Sequence, residues 1–168
     1  MIEENDEDYS KIFNLLQNLG QDLNDWIIIY TSDHGEMLGQ HGIWEKQKFY
    51  EASARIPLII RYPKEYEHRI VKKNVNSCDL FATICDLADV PLPEDLDSRS
   101  LVSLMNGEIE NWNNETISHF KINSETNLMI KWDNLKYQYY GKSMPEVLFD
   151  LEADPEEKIN FIDIPEYS

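Results

Sequence analysis

Basic residues are scarce in this chain: 15 Lys and Arg stand against 32 Asp and Glu, a formal net charge of −17. That balance excludes gripping a polyanion through bulk charge, because phosphate backbones are held by clustered Lys and Arg. No nucleic-acid partner is expected. Long apolar runs are lacking too: the five residues Trp26 to Tyr30 fall far short of the roughly 20 that span a bilayer. No charged-then-apolar leader precedes them, so no transmembrane segment is expected, and the compartment stays open. Cysteine is limited to Cys78 and Cys85. Their seven-residue spacing in a helical pattern puts them about two turns apart, too far to bridge, and they read as buried free thiols. Aromatic residues are not scarce, with 4 Trp, 9 Tyr and 6 Phe in a chain that is 42% hydrophobic, and this excludes disorder.

The 168 residues fit one ordinary domain. Tyr9, Ile12, Phe13, Leu16 and Leu19 recur at helical spacing after an acidic opening, with Gly20 as C-cap. Trp26 to Tyr30 is a continuous apolar, β-branched run, which predicts a strand buried on both faces, the kind found in parallel α/β sheets. Pro57 to Ile60 looks similar, and Ile70 to Val75 is a candidate third strand. Over Ser77 to Val90 a helix is predicted with Ser77 as N-cap and Leu80, Phe81, Ile84, Leu87 and Ala88 on its apolar face, stopped by Pro91 and Pro93. A short helix follows over Leu101 to Met105. Brief β-prone pieces come next at Ile117 to Phe120, Leu128 to Trp132, Leu135 to Tyr140 and Val147 to Leu151, with Asp133-Asn134 as a hairpin turn. The expected class is α/β: a mixed sheet flanked by helices over residues 1–107, then a small antiparallel subdomain over 108–168.

Chemistry concentrates between Thr31 and Arg61. Three of the six glycines, Gly35, Gly39 and Gly42, fall within eight residues directly after the apolar strand, where ligands bind in open α/β sheets. The acid excess vanishes here: Asp33, Glu36, Glu45 and Glu51 are balanced by Lys46, Lys48, Arg55 and Arg61. An adjacent carboxylate and imidazole, Asp33 and His34, suit a divalent cation, and a lysine beside it would favour a small dianion such as a sulfate or phosphate ester. Read in isolation, an Asp-His pair is a capping carboxylate and a hydrogen-bonded imidazole, and the loop is an ordinary surface of mixed charge.

The ordered run Ser32-Asp33-His34-Gly35-Glu36, Leu38-Gly39-Gln40-His41-Gly42-Ile43-Trp44-Glu45-Lys46, Phe49-Tyr50-Glu51 and Arg55-Ile56-Pro57-Leu58-Ile59 resembles the second signature region of type I sulfatases, in the alkaline phosphatase superfamily. Asp79 to Ile84, Ser98-Arg99-Ser100-Leu101, and Leu148-Phe149-Asp150-Leu151 with Asp154-Pro155-Glu156-Glu157 and Asn160 resemble further family motifs in family order. The resemblance covers nearly the whole chain. It implies that Asp33 and His34 are the two metal ligands given by the second half of a sulfatase, usually to calcium. It also implies that Lys46 contacts the ester oxygens and steadies charge on the leaving group, with His41 as a supporting substrate-site residue. Glu51 and Arg55 are expected to form an ion-paired support for the loop, and His68 and His119 to be surface or core histidines. The Asp-His form is similar to the iduronate, choline and polysaccharide sulfatase branch, hence a sulfated sugar or small alcohol as substrate.

Family members attack sulfur with the hydrate of a formylglycine made within Cys-or-Ser-x-Pro-x-Arg, and no such motif occurs in these residues. The formylglycine and the other metal ligands are therefore expected in an amino-terminal half, a separate partner, without which this chain is not expected to turn over. Phosphonate and phosphodiester hydrolases of the superfamily share the Asp-His form, and a non-catalytic remnant serving as a binding or assembly module is the remaining alternative.

Overall fold

A computed structural model describes residues 2–122, 124–142 and 144–167; Met1, where the acidic opening starts, lies outside them. The chain divides into two compact units, Met1–Ser32 with Ile56–Arg69, and Asp33–Arg55 with Ile70–Ser168.

In the first unit, helix α1 (Ile2–Asn18) begins earlier than its apolar periodicity. Glu3 and Glu4 form its first turn, where the partial positive charge of the unpaired amides favours carboxylates. It ends as the glycine predicts: Gly20 takes φ +79°, its N–H donates to the Gln17 carbonyl and that of Gln21 to Leu16, a Schellman closure. Strands β1 (Ile28–Thr31) and β2 (Leu58–Arg61) then pair antiparallel, Ile28 opposite Arg61 and Thr31 opposite Leu58. The expectation of a doubly buried parallel strand is corrected here. Tyr30 and Ile59 stay exposed, because a two-stranded ribbon and one helix cannot cover both of its faces. Tyr9 meets Tyr30 edge-on at 5.6 Å, and the Arg61 guanidinium donates to the Leu23 carbonyl and Asn24 Oδ1, both at 2.7 Å.

The second unit carries a meander of four antiparallel strands, β3 (Glu115–Ile122), β4 (Glu125–Trp132), β5 (Leu135–Tyr140) and β6 (Val147–Asp150), in chain order. The predicted turn is present: Trp132 pairs with Leu135, and Asp133 takes φ +49°, a conformation Asp tolerates better than most residues. Phe49, from the loop after β1, is buried with Met129 and Tyr140 and packs on Phe120 at 4.8 Å, so the glycine-rich loop is anchored in the meander.

Residues 70–75 form no strand. Their backbone is held by side chains instead: the Asn74 N–H donates to Asn114 Oδ1 at 2.6 Å and the Trp112 indole to the Asn74 carbonyl at 2.9 Å, which outweighs β propensity. Helix α3 (Asp79–Leu87) also departs from expectation. Its buried residues are Asp79, Ala82 and Thr83, whereas Phe81 and Ile84 of the expected apolar face are about half exposed. The reason is polar. Asp79 Oδ1 accepts the Arg99 N–H at 2.9 Å, Thr83 Oγ1 accepts the Leu101 N–H at 2.9 Å, and Ser98 Oγ donates to the Cys78 carbonyl at 2.7 Å. The two motifs around residues 79–84 and 98–101 are therefore docked on each other, ahead of the short helix α4 (Val102–Met105). Ser77 does not cap; Asn76 Oδ1 accepts the Cys78 N–H at 3.3 Å. Cys78 is exposed and Cys85 half-buried, both free, so they are not the buried thiols expected. Among the described residues no helix is long and apolar enough to cross a membrane.

Candidate functional site

The chain leaves β1 through Ser32 and enters a hairpin-like excursion that brings Lys46 back to His34. Its two limbs are joined by the Met37 N–H to the Glu45 carbonyl and the Gly39 N–H to the Ile43 carbonyl, both at 3.0 Å. The tip is tight: Gly39 and Gly42 take φ +90° and +70°, which glycine adopts without steric cost. Leu38, His41 and Glu45 also lie in the left-handed region, strain of the kind that concentrates where a loop is shaped for function. Met37, within the excursion, is fully buried.

At its base stand three of the residues predicted from sequence. His34 Nδ1 lies 2.7 Å from the Gly35 carbonyl, which can only accept, so Nδ1 carries the proton and the Nε2 lone pair faces outward. That lone pair points at positive charge, with Lys46 Nζ 2.5 Å away, and Asp33 Oδ2 is 3.3 Å from the same nitrogen. Asp33 Oδ1 accepts the His34 N–H at 2.9 Å, fixing carboxylate and imidazole on the same side. Both side chains are open to a ligand, 82% and 37% exposed.

This donor set fits a divalent cation. It offers a hard oxygen and an imidazole nitrogen, the far ring nitrogen is oriented by a backbone carbonyl as in metal-bound histidines, and an ammonium already occupies the electrostatic position of a cation. Among the described residues no group of three or more His, Cys, Asp or Glu side chains converges, so Asp33 and His34 would be a partial ligand set. His41 stacks on Tyr50 at 4.1 Å. His68 and His119 are exposed surface residues.

The support under the loop differs from the expected Glu51–Arg55 pair. Glu51 Oε1 pairs with Lys136 Nζ at 2.9 Å, and so does Glu157 Oε1; Lys131 lies 3.8 Å from Glu51 Oε2. Burial pushes the Glu51 carboxyl up, but Lys136, Lys131 and Arg55 together outweigh it and hold it below the ordinary range. Sequence reasoning missed Lys136, Glu157 and Ser53, since a lysine in an alternating β pattern reads as solvated. The signal available for Glu157 was its place in the Asp154-Pro155-Glu156-Glu157 turn, which gives it φ +55° and directs its carboxylate inward.

Residues 39–168 match the family described as N-sulphoglucosamine sulphohydrolase, C-terminal. The chain is 30% identical to the N-acetylglucosamine-6-O-sulfatase of Bacteroides thetaiotaomicron over 97% of its length and 31% of that protein's. It is 38% identical to the choline-sulfatase of Rhizobium meliloti over 85% of this chain and 28% of that one. The solved phosphonate monoester hydrolase of Agrobacterium radiobacter superposes with a TM-score of 0.84 at 30% identity, covering 99% of this chain and 36% of that one. The chain thus spans about a third of the length of the curated relatives it matches. With its motifs, its antiparallel meander and its family match in agreement, the chain belongs to the sulfatase family and corresponds to its carboxy-terminal region.

Proposed function

We propose that this chain supplies the carboxy-terminal part of a metal-dependent sulfuric ester hydrolase acting on a sulfated sugar or a small sulfated alcohol. The observation that carries the reading is the convergence of Asp33, His34 and Lys46 at the base of one excursion. Asp33 and His34 would hold a divalent cation, calcium in keeping with the resemblance, which when bound would neutralise ester charge and polarise the bond to sulfur. Lys46 presents three N–H donors and a full charge that bind the ester oxygens and offset charge on the leaving oxygen. The His34 imidazole, its proton kept on Nδ1 by the Gly35 carbonyl, offers only a lone pair towards the site. His41 supports the substrate side of the loop through its stack on Tyr50. The formylglycine nucleophile comes from an amino-terminal sulfatase portion, and this chain alone does not turn over. Sulfated-sugar and choline sulfatases among the relatives support the ester class.

A phosphonate monoesterase activity is the second reading, favoured by the 0.84 TM-score to that enzyme. Co-expression with an amino-terminal sulfatase portion bearing Cys-or-Ser-x-Pro-x-Arg, assayed on an aryl sulfate and a phosphonate monoester, separates the two. Sulfate turnover is expected, and Lys46→Ala should lower kcat about 10²–10³-fold, the usual effect of removing one donor to developing charge. Turnover of the phosphonate alone would move the assignment to the second reading. A folded assembly inert to both would leave a binding module.

A further inference from the structure

The limb carrying Asp33, His34 and Gly35 and the limb carrying Lys46 meet at a single buried residue. Ser53 is 3% exposed and sits in α2 (Glu51–Ala54). Its carbonyl accepts the Gly35 N–H at 2.8 Å, and its Oγ donates to the Lys46 carbonyl at 2.6 Å. The first bond fixes the peptide joining His34 to Gly35, next to the one whose oxygen orients the His34 ring. The second fixes the peptide from which the Lys46 side chain springs.

A helix of four residues is not stable by itself. This one is braced: the Glu51 N–H donates to Glu157 Oε2 at 2.6 Å, and the Phe49 N–H donates to the Tyr140 hydroxyl at 2.9 Å. Ser53 is therefore a fixed point, and a long flexible lysine that would otherwise sample many rotamers is held with its root in one place. We infer that Ser53 is a positioning residue whose side-chain hydroxyl fixes the root of Lys46 so that its side chain lies beside the His34 ring, and ammonium and metal-ligand atoms face the same ester. The inference deepens the proposed hydrolase site and rests on that reading for its purpose, although the geometry it asserts can be read without any substrate.

The test is nuclear magnetic resonance on the 168-residue chain without metal or substrate. Wild type should give a cross-relaxation contact between the Lys46 Cε protons and the His34 ring, together with a slowly exchanging Gly35 amide. Ser53→Cys is close to isosteric but replaces a strong donor by a weak one. It should lose the Lys46–His34 contact while keeping Gly35 amide protection and the melting temperature, and Ser53→Thr, which restores the hydroxyl, should recover the contact. A Ser53→Cys chain that keeps the contact overturns the inference. So does one that unfolds, since Ser53 would then serve the fold and not the lysine. Because no ester is present, these outcomes are independent of whether the hydrolase reading stands.

Discussion

Lys136→Ala should lower the urea midpoint of the second unit by the equivalent of about 3–5 kcal/mol, the usual consequence of removing one partner from a buried ion cluster. The Lys136 side chain is 0% exposed and its ammonium lies 2.9 Å from both Glu51 and Glu157, whose own side chains are 21% and 3% exposed. Without it two carboxylates face each other in a poorly hydrated site, with Lys131, 3.8 Å from Glu51, and the more distant Arg55 left to compensate. The loss belongs to the stranded charges and not to the ion pair as such, so Lys136→Ala should cost much less when Glu157 is already Gln, a coupling that a double-mutant cycle reads directly. Equal costs in both backgrounds would mean that the cluster is not coupled. Acid should act on the same cluster. The Glu51 carboxyl is held below its ordinary range by the three cations around it. It therefore binds a proton less readily folded than unfolded, and its stabilisation is present above the ordinary carboxylate range and drains away as pH falls through the folded value.

Gly35→Ala should disorder the site through its backbone. A Cβ at residue 35 would lie 2.0 Å from the Ala52 carbonyl oxygen, 3.0 Å from its carbon and 3.3 Å from Ser53 Cα, all backbone atoms with no rotamer to escape into. The limb must move, which breaks the Gly35–Ser53 hydrogen bond and turns the Gly35 carbonyl away from His34 Nδ1. Nitrogen-15 shifts of the His34 ring are expected to show one tautomer, protonated at Nδ1, in wild type and a mixture in Gly35→Ala. In an active assembly a displacement near 1 Å costs on the order of 10²-fold in rate. A variant that kept the single tautomer would show that the close approach to Ala52 does not orient the imidazole.

A carboxylate beside an imidazole and glycines at a tight bend were visible in the sequence, but alone they describe a capped surface loop; the family resemblance singled out Asp33, His34 and Lys46, and the structure brings these three together at the base of the excursion. Strand and hairpin positions in the meander were legible from alternation and from Asp133-Asn134, whose turn imposes the Trp132–Leu135 register. Pairing direction in the first sheet was not, since an apolar run such as Trp26 to Tyr30 records potential burial and says nothing of which neighbour runs which way. Helix α3 misled for a related reason. Its buried face is built from Asp79 and Thr83, polar groups made acceptable inside by backbone donors at Arg99 and Leu101 that lie about 20 residues on in the chain. The Lys136–Glu51–Glu157 cluster joins residues up to 106 positions apart, a distance over which local pattern carries no information.

Elemental analysis of the purified assembly of this chain with an amino-terminal sulfatase portion, run beside the sulfate-ester assay, tests the central claim that Asp33 and His34 bind one cation while Lys46 acts on the ester. Wild type and Lys46→Ala should both retain a stoichiometric divalent cation, Asp33→Ala and His34→Ala should lose it, and all three variants should lose turnover. Retention of the cation in Asp33→Ala and His34→Ala, or its loss in Lys46→Ala alone, would contradict the account.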